Sequence, residues 1–189
     1  DNTSLSVNTF YLDAYRYSVG FRSNRVDQID SFEERDLIKG HFNNYGFETK
    51  LIHKYKLFDF DLTSLLGAKM YKGSNSSEQG PGSISADADF NFYLDDFPNY
   101  ENQSNYSNPN INYSFFVENI LYLSNKLSLI PGARFEFIQT ESDGFYREIN
   151  TDAAGNVILN NKIITNDIRK RSFFLYGLGL EYNYSRAYN

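Results

Sequence analysis

Arg171-Ser172-Phe173-Phe174-Leu175-Tyr176-Gly177-Leu178-Gly179-Leu180-Glu181-Tyr182-Asn183-Tyr184 is the stretch that decides the fold. Its even positions are Phe174, Tyr176, Leu178, Leu180, Tyr182 and Tyr184. Its odd positions are Arg171, Phe173, Leu175, Gly177, Gly179, Glu181 and Asn183. A period of two means a strand with two unlike faces. On the even face aromatic rings bracket aliphatic side chains, the order expected of a surface that meets headgroups at its ends and hydrocarbon between them. Leu127, Leu129, Ala133, Phe135 and Phe137 alternate in the same way with Ser128, Gly132, Arg134 and Glu136, and Tyr45, Phe47, Leu51 and Tyr55 with Glu48, Lys50, Lys54 and Lys56.

Composition agrees with strands of this kind. The chain of 189 residues carries 17 Phe and 16 Tyr, with no Trp, no Cys and only 4 Pro. Its mean hydropathy is negative. That does not oppose a membrane location, because a membrane strand needs only about 9–11 residues with alternate ones apolar. No apolar run reaches the roughly 18 residues of a transmembrane helix. The lack of Cys excludes a disulfide scaffold and thiolate metal sites. A net charge of −6 argues against nucleic acid as a partner, since phosphate contacts need a basic surface. The opening Asp1-Asn2-Thr3 has neither a basic nor an apolar leader, so an export signal is expected to lie outside this segment.

Outward from the opening stretch, the pattern predicts an all-β, antiparallel up-and-down transmembrane β-barrel segment. It has about six strands, near 4–21, 43–57, 60–72, 111–123, 127–141 and 170–185. Long polar connections are expected near 22–42, 73–110 and 142–169, alternating with short turns. A two-residue turn at Phe58-Asp59 pairs Leu57 with Phe60, and so sets Lys56 opposite Asp61 and Glu48 opposite Lys69. Keeping both apolar faces together at the next turn requires an odd loop, Ser124-Asn125-Lys126. This places Glu118 opposite Gly132 and diagonal to Arg134, as a further polar-face ion pair. Ser31-Phe32-Glu33-Glu34 reads as a capping box opening a short helix. Asp152-Ala153-Ala154-Gly155-Asn156 reads as a hairpin tip. Pro131-Gly132 in mid-strand predicts a bulge or a close backbone approach. The smallest membrane barrels need about eight strands, so these six belong to a larger wall.

Tyr113-Ser114-Phe115-Phe116-Val117-Glu118-Asn119, followed by Leu127-Ser128-Leu129-Ile130-Pro131-Gly132-Ala133-Arg134-Phe135-Glu136, resembles a barrel hairpin of TonB-dependent outer-membrane receptors. Residues 171–180 look like the next strand. Tyr45-Gly46-Phe47-Glu48 and Leu5-Ser6-Val7-Asn8-Thr9-Phe10-Tyr11 are similar to the ferric-citrate and siderophore branch in Bacteroidetes. The resemblance implies a barrel of about 22 strands in the Gram-negative outer membrane. It also implies a plug domain outside residues 1–189, import of an iron chelate driven by the TonB complex, and no enzymatic activity or cofactor. Ser185-Arg186-Ala187-Tyr188-Asn189 lacks the terminal aromatic of a closing strand, so a further strand is expected beyond it.

The chemistry legible in the chain fits binding better than catalysis. His41 and His53 are the only histidines, too few and too far apart for a triad or a metal centre. Asp87-Ala88-Asp89 and Asp95-Asp96 lack the spacing of a calcium loop and read as a solvated acidic stretch. An anionic chelate calls for Arg forks and Tyr hydroxyls near the outer end. The candidates are Arg147, Arg169 and Arg171, followed by Tyr106 and Tyr113. The competing reading is a surface-exposed scaffold or secretion-associated subunit that keeps the barrel without transport.

Overall fold

The computed structural model describes residues 2–21 and 25–184. Ser185-Arg186-Ala187-Tyr188-Asn189, together with the first residues of the expected 22–42 connection, lie outside them. The strands are β1 (Thr3–Gly20), β2 (Asp36–Leu57), β3 (Phe60–Pro81), β4 (Ser104–Tyr122), β5 (Leu127–Thr151) and β6 (Val157–Tyr182). They form one antiparallel up-and-down sheet in the order β1-β2-β3-β4-β5-β6. Among the described residues the sheet is open: β1 pairs only with β2, and β6 only with β5.

Turn chemistry fixes this register. Phe58, at φ 55°, sits in the two-residue turn that pairs Leu57 with Phe60, Lys56 with Asp61 and Glu48 with Lys69. The Leu123 N–H donates to the Leu127 carbonyl at 3.0 Å. Ser124-Asn125-Lys126 is therefore the three-residue loop, with Glu118 opposite Gly132. At the other end of β5, Asp152 Oδ1 accepts the Ala154 and Asn156 amides at 2.9 and 2.8 Å. Gly155 takes the positive φ of 85° that closes the hairpin tip.

The strands run well past their expected ends, which corrects the long connections. Apart from the two short turns, the connections among the described residues are 25–35, 82–103 and 152–156. The extensions, such as Gly73–Pro81 and Ser104–Asn110, are rich in Ser, Asn and Gly, poor strand formers that show no apolar alternation. Once register is set, each added residue extends an existing ladder without closing a new loop, which outweighs weak propensity. The expected helix at Ser31-Phe32-Glu33-Glu34 is absent. Asp30 instead accepts the Phe32 amide at 2.9 Å in an Asx turn, and its carboxylate is gripped by Arg35 at 2.7 and 2.5 Å. Nor does Pro131 make a bulge. The β4–β5 pairing lapses between Glu118↔Gly132 and Leu121↔Leu129 and resumes in the same register; it lapses again beside Pro109. Each proline removes a ladder donor and leaves the alignment intact.

Register sorts every strand into two faces. On one lie Leu5, Leu51, Leu66, Val117, Ala133 and Tyr176 as a single cross-sheet row, with Val7, Thr49, Ala68, Phe115, Phe135 and Phe174 in the next. On the other lie Glu48, Lys69, Ser114 and Glu136, again one row. The apolar face is not a core. Leu66 and Phe115, in central strands, are 52% and 57% exposed, and the buried apolar side chains among the described residues are Leu37, Leu62, Pro81 and Tyr100. The accessible surface is 13426 Å², against about 9,300 Å² for a compact protein of this mass.

Glycines on the polar face make room for rings from the neighbouring strand. Phe10 lies over Gly46 and Phe116 over Gly67 in the space a Cβ would occupy, and at Gly144 that space is taken by the Asn105 carbonyl together with Tyr106, the cross-strand partner. Each pair is also directly cross-strand. Because Gly46 carries no side chain, Phe10 and Tyr71 stack across it with centroids 6.0 Å apart.

Candidate functional site

The polar face divides along the strands. Nearer the short turns it is charged. Glu48 is bound by Lys50 at 2.6 Å, with Lys69 opposite it in register. Lys56 and Asp61 approach to 3.5 Å, both well exposed. Arg134 does not turn to Glu118. It binds Glu136, two residues along the same face, at 2.5 Å, because the Phe116 ring lies under its guanidinium at 5.5 Å and steers it there. Asn112 adds a bond to the other Glu136 oxygen at 2.8 Å.

Further out, charge gives way to carboxamides. Asn44, Gly73, Asn110, Thr140 and Arg169 form one cross-sheet row, flanked by the row of Asn112 and Ile138 and by that of Asn75 and Asn108. Of these, all but Asn44 and Gly73 line an open cavity of about 460 Å³ between β3 and β6. Gly73 gives the Asn44 and Asn110 side chains the space over its Cα. The carboxamide oxygens of Asn44 and Asn75 are buried without a hydrogen-bond partner. Arg169 stands at the rim, paired with Asp167 at 2.8 Å.

The five expected ligand residues are not brought together. Arg169, Arg171 and Tyr106 lie on the polar face, Arg171 in the row of Asn112 and Ile138. The Tyr106 hydroxyl accepts from Thr165 Oγ1 at 3.3 Å. Tyr113 falls on the apolar face, stacked with Phe137 at 6.4 Å, because its register partners are Met70 and Phe137. Arg147 shares that face and acts as a strut. Its guanidinium reaches Gln103 at 2.5 Å and Asn160 at 2.7 Å, pinning the 82–103 connection to β5 and β6.

That connection is held at its other side too. Arg35 is 4% exposed, chelates Asp30 and donates to the Ser85 carbonyl at 3.3 Å. The Arg35 side chain holds the Asp30 carboxyl below the usual aspartate range. Tyr100 donates from its hydroxyl to Asp36. Asp89 accepts the Tyr93 hydroxyl at 2.6 Å and the Asn91 amide at 2.9 Å, so the acidic stretch organises its own loop. His41 bonds Asp13 at 2.6 Å under the Tyr15 ring, and His53 bonds Thr3 at 2.7 Å. No cluster of three metal-binding side chains occurs among the described residues.

The sequence reading missed the carboxamide cavity because it assigned Asn75 and Asn108 to a loop. The signal was Asn108-Pro109-Asn110-Ile111-Asn112, an alternation of carboxamides instead of apolar groups. No protein-family model matches the chain, and no curated protein matches it.

Proposed function

We propose that this chain is part of the wall of an outer-membrane β-barrel, and that the barrel is a TonB-dependent receptor importing an iron chelate. The observation that carries the reading is the register-locked apolar face. On β2 it runs from Tyr45 to Leu57. That is about 40 Å along the strand and, at a tilt near 45°, about 28 Å in height, close to the hydrocarbon thickness of a bilayer. Open edges at β1 and β6 support a larger wall, because unpaired backbone is not tolerated in hydrocarbon. Further strands, about 22 in all, close it. The polar face then lines the lumen, the short turns face the periplasm and the three longer connections face outward. The TonB complex acts through a plug domain that sits inside the wall.

Uptake of ferric citrate and of siderophores by cells expressing the full protein tests this. Accumulation that stops when the energy-coupling complex is deleted is expected. Accumulation that continues without it would contradict active import. The pinned connections at Arg35 and Arg147 favour a second reading, a surface scaffold or secretion-associated subunit that does not transport. Copurified partner chains together with absent uptake would select it.

A further inference from the structure

The carboxamide cavity has properties that a purely structural patch lacks. Asn75, Asn108, Asn110, Asn112, Thr140 and Ser142 converge on it from three adjacent strands, offering donors and acceptors in a single surface. It opens where Pro109 interrupts the β4–β5 pairing. The Asn75 oxygen is buried and unpartnered, a state that folded proteins rarely keep without a use for the group. Nor is the cavity suited to anions. Its one lining cation, Arg169, is paired with Asp167.

We propose that this cavity is a ligand-contact site for uncharged groups rich in hydroxyls or amides, such as those of a neutral oligosaccharide or of an uncharged ferric hydroxamate chelate. The inference rests on the reading that the polar face lines the lumen, and it narrows the cargo from anionic to neutral. Carboxamides suit such ligands because each can donate and accept at once, and they bind without the desolvation that a charged partner imposes. Removing the hydrogen-bonding groups of a polar site discriminates strongly, since the ligand's own polar groups are then left unpaired.

The test uses the protein expressed in full and placed in lipid nanodiscs, titrated calorimetrically with maltohexaose, with ferrichrome and with ferric citrate. Binding of either neutral probe is expected, weakened at least tenfold by Asn110→Leu and by Asn75→Ala. The thermal midpoint of Asn75→Ala should stay level or rise, because the substitution removes an unpaired buried group. Which neutral probe binds separates a sugar from a chelate. Binding of ferric citrate alone, binding of neither neutral probe, or affinity unchanged in both variants would overturn the proposal. So would a midpoint that falls in Asn75→Ala. A separate measurement guards the underlying reading: in intact cells Asn110→Cys should react with a membrane-impermeant maleimide while Leu66→Cys should not. If Asn110→Cys is labelled and neutral probes fail, only the ligand assignment falls. If labelling is reversed, the lumenal reading itself falls.

Discussion

The two halves of β2 share one ladder and are specified by different physics. From Tyr45 to Leu57 one face carries Tyr45, Phe47, Leu51, Tyr55 and Leu57, with Thr49 and His53 among them, and the other Glu48, Lys50, Lys54 and Lys56, so a slip of one residue would turn those charges onto the apolar face. From Asp36 to Asn44 it reads Asp-Leu-Ile-Lys-Gly-His-Phe-Asn-Asn, with no such alternation. Here register is inherited from below, and side-chain pins, Tyr100 to Asp36 and Arg35 to Asp30, hold the connections beyond it. The lower half is defined by what its faces avoid, the upper by what its residues hold. Each half should therefore fail differently when it is altered.

The largest effect is expected from charge on the apolar face. Leu66→Arg places a guanidinium at the middle of the apolar band and should destabilise the assembled protein by about 2–4 kcal/mol. Ser76→Arg, on the same face but in the upper half, should change it by less than about 0.5 kcal/mol. Urea titration of the full protein refolded into vesicles measures both. Equal effects would remove the distinction between the halves.

Next come the glycines beneath aromatic rings. A Cβ at Gly46 would meet the Met70 carbonyl as well as the Phe10 ring, so Gly46→Ala must shift backbone and should cost about 1–3 kcal/mol. Gly177 has open space around its Cα, and Gly177→Ala should lie within about 0.5 kcal/mol of the parent. The same titration reads both variants. Gly46→Ala sharpens the comparison because the residue stands at the boundary, where the charged row of Glu48 and Lys69 gives way to Asn44 and Asn110.

How much was legible follows the same division. Both short turns, the two-residue loop at Phe58 and the three-residue loop at Ser124, were readable because the apolar faces on either side had to match. Lys56 opposite Asp61 then followed by counting. The upper halves were read as loops because Ser74, Asn75, Ser76 and Ser77 have low strand propensity and no alternation, and propensity is a local quantity whereas ladder extension is not. The capping-box reading failed because it competed with a longer-range partner, Arg35, which took the Asp30 carboxylate into an Asx turn. Arg147 and Tyr113 were placed at plausible heights but on the wrong face for a lumenal site. The height of a residue can be estimated from length, but its face depends on a register that polar sequence does not reveal. Of the carboxamide cavity only the Asn108–Asn112 alternation was legible, since Asn75, Asn110 and Thr140 are far apart in sequence and meet only through that register.

Loss of the Arg35 clamp should leave the lower half untouched. Arg35→Ala frees Asp30 and the Ser85 carbonyl together, so residues 25–35 and 82–103 should become sites of rapid cleavage by added protease on intact cells. The urea midpoint of the assembled sheet should not move. Arg147→Ala should expose 98–103 alone, as its contacts are confined to Pro98, Gln103 and Asn160. A lowered midpoint in either variant would show that the pins support the sheet as well as the connections.

The smallest expected effect is one of pH, and its sign is set by the direction of the Asp30 shift. Hydrogen bonding to Arg35 is the leading cause that holds the Asp30 carboxyl below the ordinary aspartate range, with the Phe32 amide next. A carboxylate whose folded value is depressed contributes stability in full above its unfolded value. That contribution is lost as pH falls through the lowered one. Proteolytic protection of residues 25–35 should thus be flat through neutral and mildly acidic pH and decline only below the usual aspartate range. Because Asp30 is open to solvent at one side, screening should also shrink the effect as salt is added. Asp30→Asn keeps an acceptor for the Phe32 amide but discards the titrating charge. It should be partly deprotected at neutral pH and show no further acid transition. An acid transition that survives in Asp30→Asn would assign the pH response to another carboxylate in the same connections, with Asp89 the first to test, because it too is held low, chiefly by the Tyr93 hydroxyl.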